Sequence, residues 1–452
     1  MEQNSNKFLQ WVQKSTTSRM VVIGVLSLIL LIPLNYIENI IIERSYHQKN
    51  VVNEIDQQWG NEVSLYGPII RIPYKTYTEK TITDKETQKV TTELVEHIKF
   101  GYFFPNKLDI TSTINPEEKK RGIYKTAVFK SEIDLQGNFK RFNFSKIDIE
   151  DKDILWNKSK VIFKTSNVKG ISTKLSILIN NKEYDLSSAT DYNSNDYYHH
   201  LESGFIPLKE LNKVSENVNF DLKYAVKGSK EIQFIPIGKE TNTQITSSWK
   251  TANFNGSFLP YNPNKINENG FNAKWKVLDI NRPFAQEHFK VLPRLKDYAF
   301  GVNFKIPVDE YQKSLRTAKY GFLVITLTFL IFFIIQSVSK INMHPFQYLM
   351  IGIALSMFYT LLISISEHSN FLKAYTIASV LVILLISLYS KSILKSKKFM
   401  LFIFTSLLFL YTFIFIIIQL ESYSLLVGSL GLFAILAAVM YVSRKIDWSK
   451  SL

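Results

Sequence analysis

Five long apolar stretches crowd the last third of the chain, and a water-soluble fold has no place for them. They run roughly over Gly321–Val338, Phe346–Ser364, Ala374–Tyr389, Phe399–Ile418 and Leu425–Val442, with gaps of about six to nine residues. Each reads as a transmembrane helix, and gaps that short make neighbours antiparallel hairpins. A sixth stretch, Met20–Ile37, is uncharged between Arg19 and Glu38. As a helix it rises about 27 Å, close to the thickness of the hydrocarbon core. Lys7, Lys14 and Arg19 would also suit a cleaved signal peptide, but the residues that follow lack the small side chains of a cleavage site. It reads as an uncleaved signal anchor with Pro33 as a tolerated kink.

Loop charge sets the expected orientation. Lys7, Lys14, Arg19, Lys340, Lys391, Lys395, Lys397, Lys398, Arg444, Lys445 and Lys450 fall on one side, whereas the short loops opposite offer Lys373 beside Glu367 and Glu421. The positive-inside rule puts both termini in the cytoplasm. Lys313, Arg316 and Lys319 run against it, but they end a long translocated segment, where the rule is weak. Trp11 and Trp448 fall near the cytoplasmic boundary, where amphipathic rings prefer to lie.

Between the first two spans the chain is polar, with repeated period-two alternation. Ile123–Leu135, Val161–Lys164, Leu175–Ile179 and Glu231–Ile237 read as short strands punctuated by Gly, Asn and Pro, and Thr76–Thr92 as an exposed hairpin or loop. Ile40–Ile55 could carry the first helix outward. The expected organisation is a cytoplasmic arm (1–19), a first span (20–37), an extracytoplasmic domain (38–320), a five-helix bundle (321–443) and a cytoplasmic tail (444–452). The fold class is a membrane α-helical bundle of about six transmembrane helices plus a large extracytoplasmic antiparallel β domain, a sandwich or a long twisted sheet.

The formal charge of +15 raises nucleic acid as a partner, but no compact basic motif is present and many cations sit at the ends of apolar spans, where topology and anionic lipid explain them. With no cysteine there is no disulfide, thiolate metal site or cysteine nucleophile. The seven histidines are scattered; His199-His200 is the one cluster, and adjacent strand residues point to opposite faces, a poor chelate. No zinc-protease, Walker, nucleophile-elbow or dinucleotide motif is found. Gly428 and Gly431 suit close helix packing. No metal, cofactor or catalytic residue is expected.

Polar residues gather instead at the ends of the spans: Gln336, His344, Glu367, His368, Gln419 and Glu421. At the interface they solvate loops or bond helices together, while an ionisable residue at mid-depth would imply function. Lys313, Arg316 and Lys319 share one helical face, and Glu38 and Glu43 leave the first span on the same side of the membrane, so the outer ends of the first two spans are expected to pair. A buried Glu367 would pair with a cation such as Lys319 or take up a proton.

Several motifs resemble a known family. They include Leu31-Ile-Pro-Leu34, Glu43-Arg44, Trp59-Gly60, Gly67-Pro68, Arg121-Gly-Ile-Tyr124, Asn281-Arg-Pro-Phe284, Arg316-Thr-Ala-Lys-Tyr-Gly321, His344-Pro-Phe-Gln-Tyr348, Ser364-Ile-Ser-Glu-His368 and Arg444-Lys-Ile-Asp-Trp448. The pattern is similar to the CreD family of bacterial inner-membrane proteins, also called cell envelope integrity or colicin-tolerance proteins. Gln336 departs from it, standing where the resemblance implies an acidic side chain. The resemblance implies a bacterial inner-membrane location and a role in envelope homeostasis, and it supplies no catalytic residue. The expected function is non-enzymatic: maintaining or sensing envelope integrity, with the β domain binding a periplasmic protein, lipid or glycan. The alternative is a component that transports or presents a hydrophobic substrate through the bundle. A membrane hydrolase using Glu367 and His368 ranks last. A polar cavity between the helices would favour transport, and a tightly packed bundle would favour a scaffold or sensor.

Overall fold

The computed structural model describes residues 16–83, 90–189, 197–209, 217–289, 291–304, 310–339, 341, 343–420 and 423–444. Lys7, Trp11, Lys14, Lys340, Glu421, Lys445, Trp448 and Lys450 lie outside them. The chain forms two compact units, one of residues 1–49 and 308–452, the other of residues 50–307.

In the membrane unit, α1 (Thr16–Ile29) and α2 (Leu31–Trp59) are broken only at Leu30. The break has a local cause. Pro33 has no N–H to offer the carbonyl of Ile29, so the ladder loses a bond where the turn occurs. The helix does not stop at Ile37, as expected for the span, but continues to Trp59. It ends on Gly60 and Asn61, both with positive φ (115° and 64°), whose N–H groups bond to the carbonyl of Asp56.

Then come α3 (Glu310–Lys319), α4 (Gly321–Ser339), α5 (Pro345–Ser366), α6 (Phe371–Leu394), α7 (Lys397–Gln419) and α8 (Ser424–Ser443). With the first helix, the last five give, among the described residues, six helices long and apolar enough to cross a membrane. The unit of residues 50–307 is narrower than the expected 38–320 domain, because residues 38–49 and 308–320 belong to the membrane unit. Of these, α3 is too short to span and is amphipathic. It buries Tyr311, Ser314, Thr317 and Ala318 and turns Lys319 outward.

Two glycines let the first helix come close to its neighbours. A Cβ on Gly321 would stand 2.8 Å from Leu34, and one on Gly352 only 2.1 Å from Leu30. Small residues are how membrane helices gain contact, since lipid tails are as apolar as leucine. Inside the bundle Phe358, Tyr359, Tyr375 and Tyr411 are buried, and the Phe358 ring packs edge-on to the other three at 4.7 to 5.3 Å between centroids. The Tyr375 hydroxyl donates to the carbonyl of Tyr411 at 2.7 Å. The helix α8 has none of its apolar window buried.

Among the described residues, the second unit is one continuous sheet of sixteen strands. Its backbone order is β12 (Ala252–Gly256), β16 (Phe300–Phe304), β10 (Glu231–Phe234), β1 (Val63–Thr83), β5 (Lys160–Thr165), β8 (His199–Ser203), β7 (Lys182–Ser188), β6 (Ser176–Ile179), β9 (Asn217–Ser229), β4 (Tyr124–Lys140), β3 (Lys107–Arg121), β11 (Glu240–Ser247), β14 (Gly270–Leu278) and β13 (Ile266–Asn267), with β2 (Val90–Phe103) on β1 and β15 (Glu287–His288) on β2. The longest are β1 (Val63–Thr83), β2 (Val90–Phe103), β3 (Lys107–Arg121), β4 (Tyr124–Lys140) and β9 (Asn217–Ser229). Most pairs are antiparallel, as the alternation implies. Two are parallel: β1 with β10 (Glu231–Phe234) and β3 with β11 (Glu240–Ser247). Residues 76–92 are the distal part of the β1/β2 hairpin as far as they are described, with Thr83 paired to Val90.

Strands far apart in this order touch through their side chains. Phe129 of β4 meets Phe304 of β16 (Phe300–Phe304) at 5.2 Å. Trp275 of β14 (Gly270–Leu278) meets Phe300 at 5.4 Å, and Phe163 of β5 (Lys160–Thr165) meets Tyr224 of β9 at 5.7 Å. The long twisted sheet therefore curls round one shared core until its two ends meet. Its alternation is visible in β9, whose buried and accessible positions interchange along the strand.

Candidate functional site

Two places gather chemistry. The first is in the membrane unit, at the turn between α5 and α6. Glu367 closes α5 with its side chain mostly buried. Its cation is Arg44 rather than the expected Lys319: Arg44 Nε lies 3.6 Å from Glu367 Oε1. The Tyr311 hydroxyl donates to the same oxygen at 3.4 Å. One turn away, Glu310 Oε2 accepts the backbone N–H of Phe371 at 2.8 Å, and Lys313 Nζ sits 6.0 Å from the Phe371 ring centre. The amphipathic helix α3 is thus pinned to the turn by Glu310 and Tyr311. No ion pair joins Glu38 or Glu43 to Lys313, Arg316 or Lys319 among the described residues. His368 is exposed, and the cap on α6 is Asn370, whose Oδ1 accepts from Lys373 N at 3.0 Å.

The other polar residues named from sequence stand apart from this turn. His344 is the N-cap of α5: its Nδ1 accepts from Phe346 N, and Gln347 Oε1 accepts from His344 N. Gln336 is buried, and its Oε1 accepts from the Tyr348 hydroxyl at 2.7 Å, tying α4 to α5. Gln419 is the exposed last residue of α7. Glu421 lies outside the described residues. Arg316 is half-buried on α3.

The second place, in the β unit, was not visible in the sequence. An open recess of about 360 Å³ is lined by Asp56, Asn61, Glu62, Ser166, Tyr197, Ser229 and Lys230. Asp56 sits in the last turn of α2, where the helix carbonyls disfavour an anion, yet it is only 2% exposed. Lys230 offsets this, with Nζ 2.7 Å from Asp56 Oδ2 and donating to Asn53 Oδ1 at 3.0 Å. Thr126 donates to Asp56 Oδ1 at 3.2 Å. Lys230 adopts φ 60°, a left-handed conformation rare outside Gly and Asn, in the one-residue turn between β9 and β10. Ser229 is fully buried and its hydroxyl has no hydrogen-bond partner. Burial pushes the Tyr197 phenol up, and the charge of Glu62 adds to it. The recess therefore mixes donors, acceptors, both signs of charge and a ring, which suits a polar ligand or peptide segment.

No group of three or more His, Asp or Glu is placed to hold a metal ion among the described residues. His199 is exposed and His200 half-buried on β8 (His199–Ser203).

Several of the motif residues prove to be joints of this architecture: Leu34 against Gly321, Arg44 against Glu367, and Tyr348 against Gln336. Arg282 is another, 4% exposed. Its guanidinium donates to the carbonyls of Ile237, Gly238 and Phe284 and to Gln286 Oε1, and it stacks 3.9 Å from the Phe284 ring centre. Burial lowers its pKa to about 10, against the pull of Asp279, so it stays charged at neutral pH. The family model of inner membrane protein CreD matches residues 15–449, both units together. The chain belongs to the CreD family. Inner membrane protein CreD of Escherichia coli strain K12 is 29% identical over 429 residues, 93% of this chain and 91% of the relative. The family and the six apolar helices make this a multi-pass inner-membrane protein. Within the CreD family pattern, Leu34, Arg44, Tyr348 and Arg282 thus mark tertiary joints.

Proposed function

We propose that this protein maintains or senses cell-envelope integrity without catalysing a reaction, its β unit facing the periplasm and binding an envelope protein, lipid or glycan there. Both termini are then cytoplasmic, as the loop charges favour. The observation that carries the reading is the contrast between the two units. The bundle interior is filled by Phe358, Tyr359, Tyr375 and Tyr411, and the cavity between its helices is apolar. The polar recess belongs to the β unit, where Asp56, Lys230 and the unpartnered Ser229 hydroxyl converge. A packed bundle supports an anchor and scaffold more than a polar conduit.

The test is photo-crosslinking in intact cells, with the crosslinking residue placed at Glu62 beside the recess, at the exposed Ile280 as a second β-unit probe and at Phe409 as a bundle probe. An envelope component captured from Glu62, together with loss of envelope resistance in Asp56→Leu at normal abundance, is expected. Capture confined to positions in the bundle would overturn the reading. It would favour the second one, presentation of a hydrophobic substrate, for which the apolar crevice between α4, α7 and α8 is the supporting observation.

A further inference from the structure

The crevice is about 380 Å³ and lies between the middle of α4, the first part of α7 and the last half of α8, with Ile334, Phe402, Thr405, Phe409 and Val439 among its walls. Its depth along α7, from Phe402 to Phe409, is about 10 Å of helix, most of one leaflet's ~15 Å of hydrocarbon. Ten of the twelve lining residues are apolar; the two hydroxyls are those of Ser406 and of Thr405, whose donor is spent on the carbonyls of Leu401 and Phe402. All three walls belong to spans, so what reaches this crevice is a hydrocarbon chain.

Apolar walls cannot choose between lipids, because an acyl chain gains no hydrophobic energy on leaving other acyl chains. Selection has to come from the headgroup. Lys398 stands one turn before Phe402, and positions 398, 402, 405 and 409 recur at the three- and four-residue spacing of one helix face. That face is the crevice wall. Its mouth therefore carries an exposed ammonium in line with the chain slot. Lys397, one residue earlier, points about 100° away.

We propose that the crevice and Lys398 together form a binding site for an anionic phospholipid, one acyl chain lying between α7 and α8 and the phosphate at the Lys398 ammonium. A bound chain would also give α8, which has none of its apolar window buried, its missing packing surface. The site does not depend on what the β unit binds.

The test is native mass spectrometry of the full chain released from detergent, with phosphatidylglycerol or phosphatidylcholine added as the probe. The wild-type protein is expected to retain one phosphatidylglycerol about fivefold more tightly than phosphatidylcholine, the effect of one interfacial lysine. Lys398→Gln should erase that preference while Lys397→Gln keeps it. Ala438→Phe, which fills the crevice, should reduce retention of both lipids, and Ala438→Leu does the same more gently if the larger ring disturbs folding. A preference that survives Lys398→Gln, or is lost equally in Lys397→Gln, would overturn the headgroup assignment. Retention unchanged in both Ala438 variants would overturn the crevice.

Discussion

Arg44 Nε lies 3.6 Å from Glu367 Oε1, joining the first helix of the chain to the turn between α5 and α6. Arg44 is half-exposed while Glu367 is mostly covered, so the two contribute unequally. An arginine still wetted by solvent loses little when its partner becomes neutral. The carboxylate, by contrast, also accepts from Tyr311, which fixes α3 on the same turn. Glu367→Gln keeps an acceptor for Tyr311 and is expected to hold membrane abundance within about a factor of two of wild type, the range of a surface ion pair. Glu367→Leu removes both contacts and should lower abundance and raise protease sensitivity of the turn, read on immunoblots of membranes. Full loss of envelope resistance in Glu367→Gln at normal abundance would instead favour proton-linked chemistry at this carboxylate.

Arg282 is the corresponding joint of the β unit. Its guanidinium serves three carbonyls and the Gln286 amide in one buried place. Arg282→Lys retains the charge but reaches fewer acceptors, leaving buried carbonyls unpaired. It should destabilise the full chain by about 2–3 kcal/mol, measured as a shift in denaturant midpoint by tryptophan fluorescence. A shift of no more than a few tenths of a kcal/mol, the scatter of ordinary surface changes, would show the network to be dispensable.

Acid should act through Glu202. Burial raises its carboxyl, but Lys160 and Arg71 outweigh this and hold it below its ordinary value of 4.5. Arg71 Nη2 is 2.6 Å from Oε2, with Lys160 on the other oxygen. A depressed acid stabilises the fold fully above its unfolded pKa and loses that contribution as pH falls through the folded one. The thermal midpoint of the full chain should therefore drop below about pH 4.5, and Glu202→Gln should flatten that acid limb while lowering the midpoint at neutral pH. An unchanged acid limb would mean that the three charges do not share one site.

How much of this was legible in sequence follows from the range of the forces involved. The spans were legible because uncharged apolar runs report their solvent directly. The β character of the segment between the first two spans was legible from alternation, which is local. The continuation of the first helix to Trp59 was less so, because beyond Ile37 its apolar residues thin to one face and only Ile41 and Ile55 are buried. The partner of Glu367 was missed for a different reason: Lys319 is near α4 in sequence, but Arg44 is near the turn in space. The recess was invisible altogether. Asp56, Ser166, Tyr197 and Lys230 come from four separate segments with no shared spacing, and the one local hint was the helix stop at Gly60-Asn61.

The absence of cysteine turns the orientation into a simple measurement. Lys182→Cys, at the exposed first residue of β7 (Lys182–Ser188), and Lys397→Cys, at the start of α7, should lie on opposite sides of the membrane. In intact spheroplasts an impermeant maleimide is expected to label the first and spare the second until the membrane is opened. Equal labelling of both before permeabilisation would contradict an odd number of spans between them.

The contact of Leu30 with Gly352 gives the most direct test of how the first helix is held. Leu30 occupies the break between α1 and α2 and is 2% exposed, and the space that receives it exists because position 352 has no side chain. A Cβ there would stand 2.1 Å from Leu30 Cδ1 and 2.9 Å from Phe329 Cζ. Leu30 can yield by changing rotamer, but only by giving up the seat that Pro33 and the helix break have aimed it at. Gly352→Ala should thus destabilise the protein by about 1–3 kcal/mol through overpacking. Leu30→Ala should destabilise it as well, by emptying the same seat. Together the two changes relieve each other, because the new methyl fills part of the space the leucine leaves. The double variant should be more stable than the sum of the singles by at least about 0.5 kcal/mol, read as unfolding midpoints in mixed micelles of increasing denaturing detergent. Strict additivity would show that Leu30 does not sit on Gly352, and the packing of the first helix against α5 would have to be redrawn.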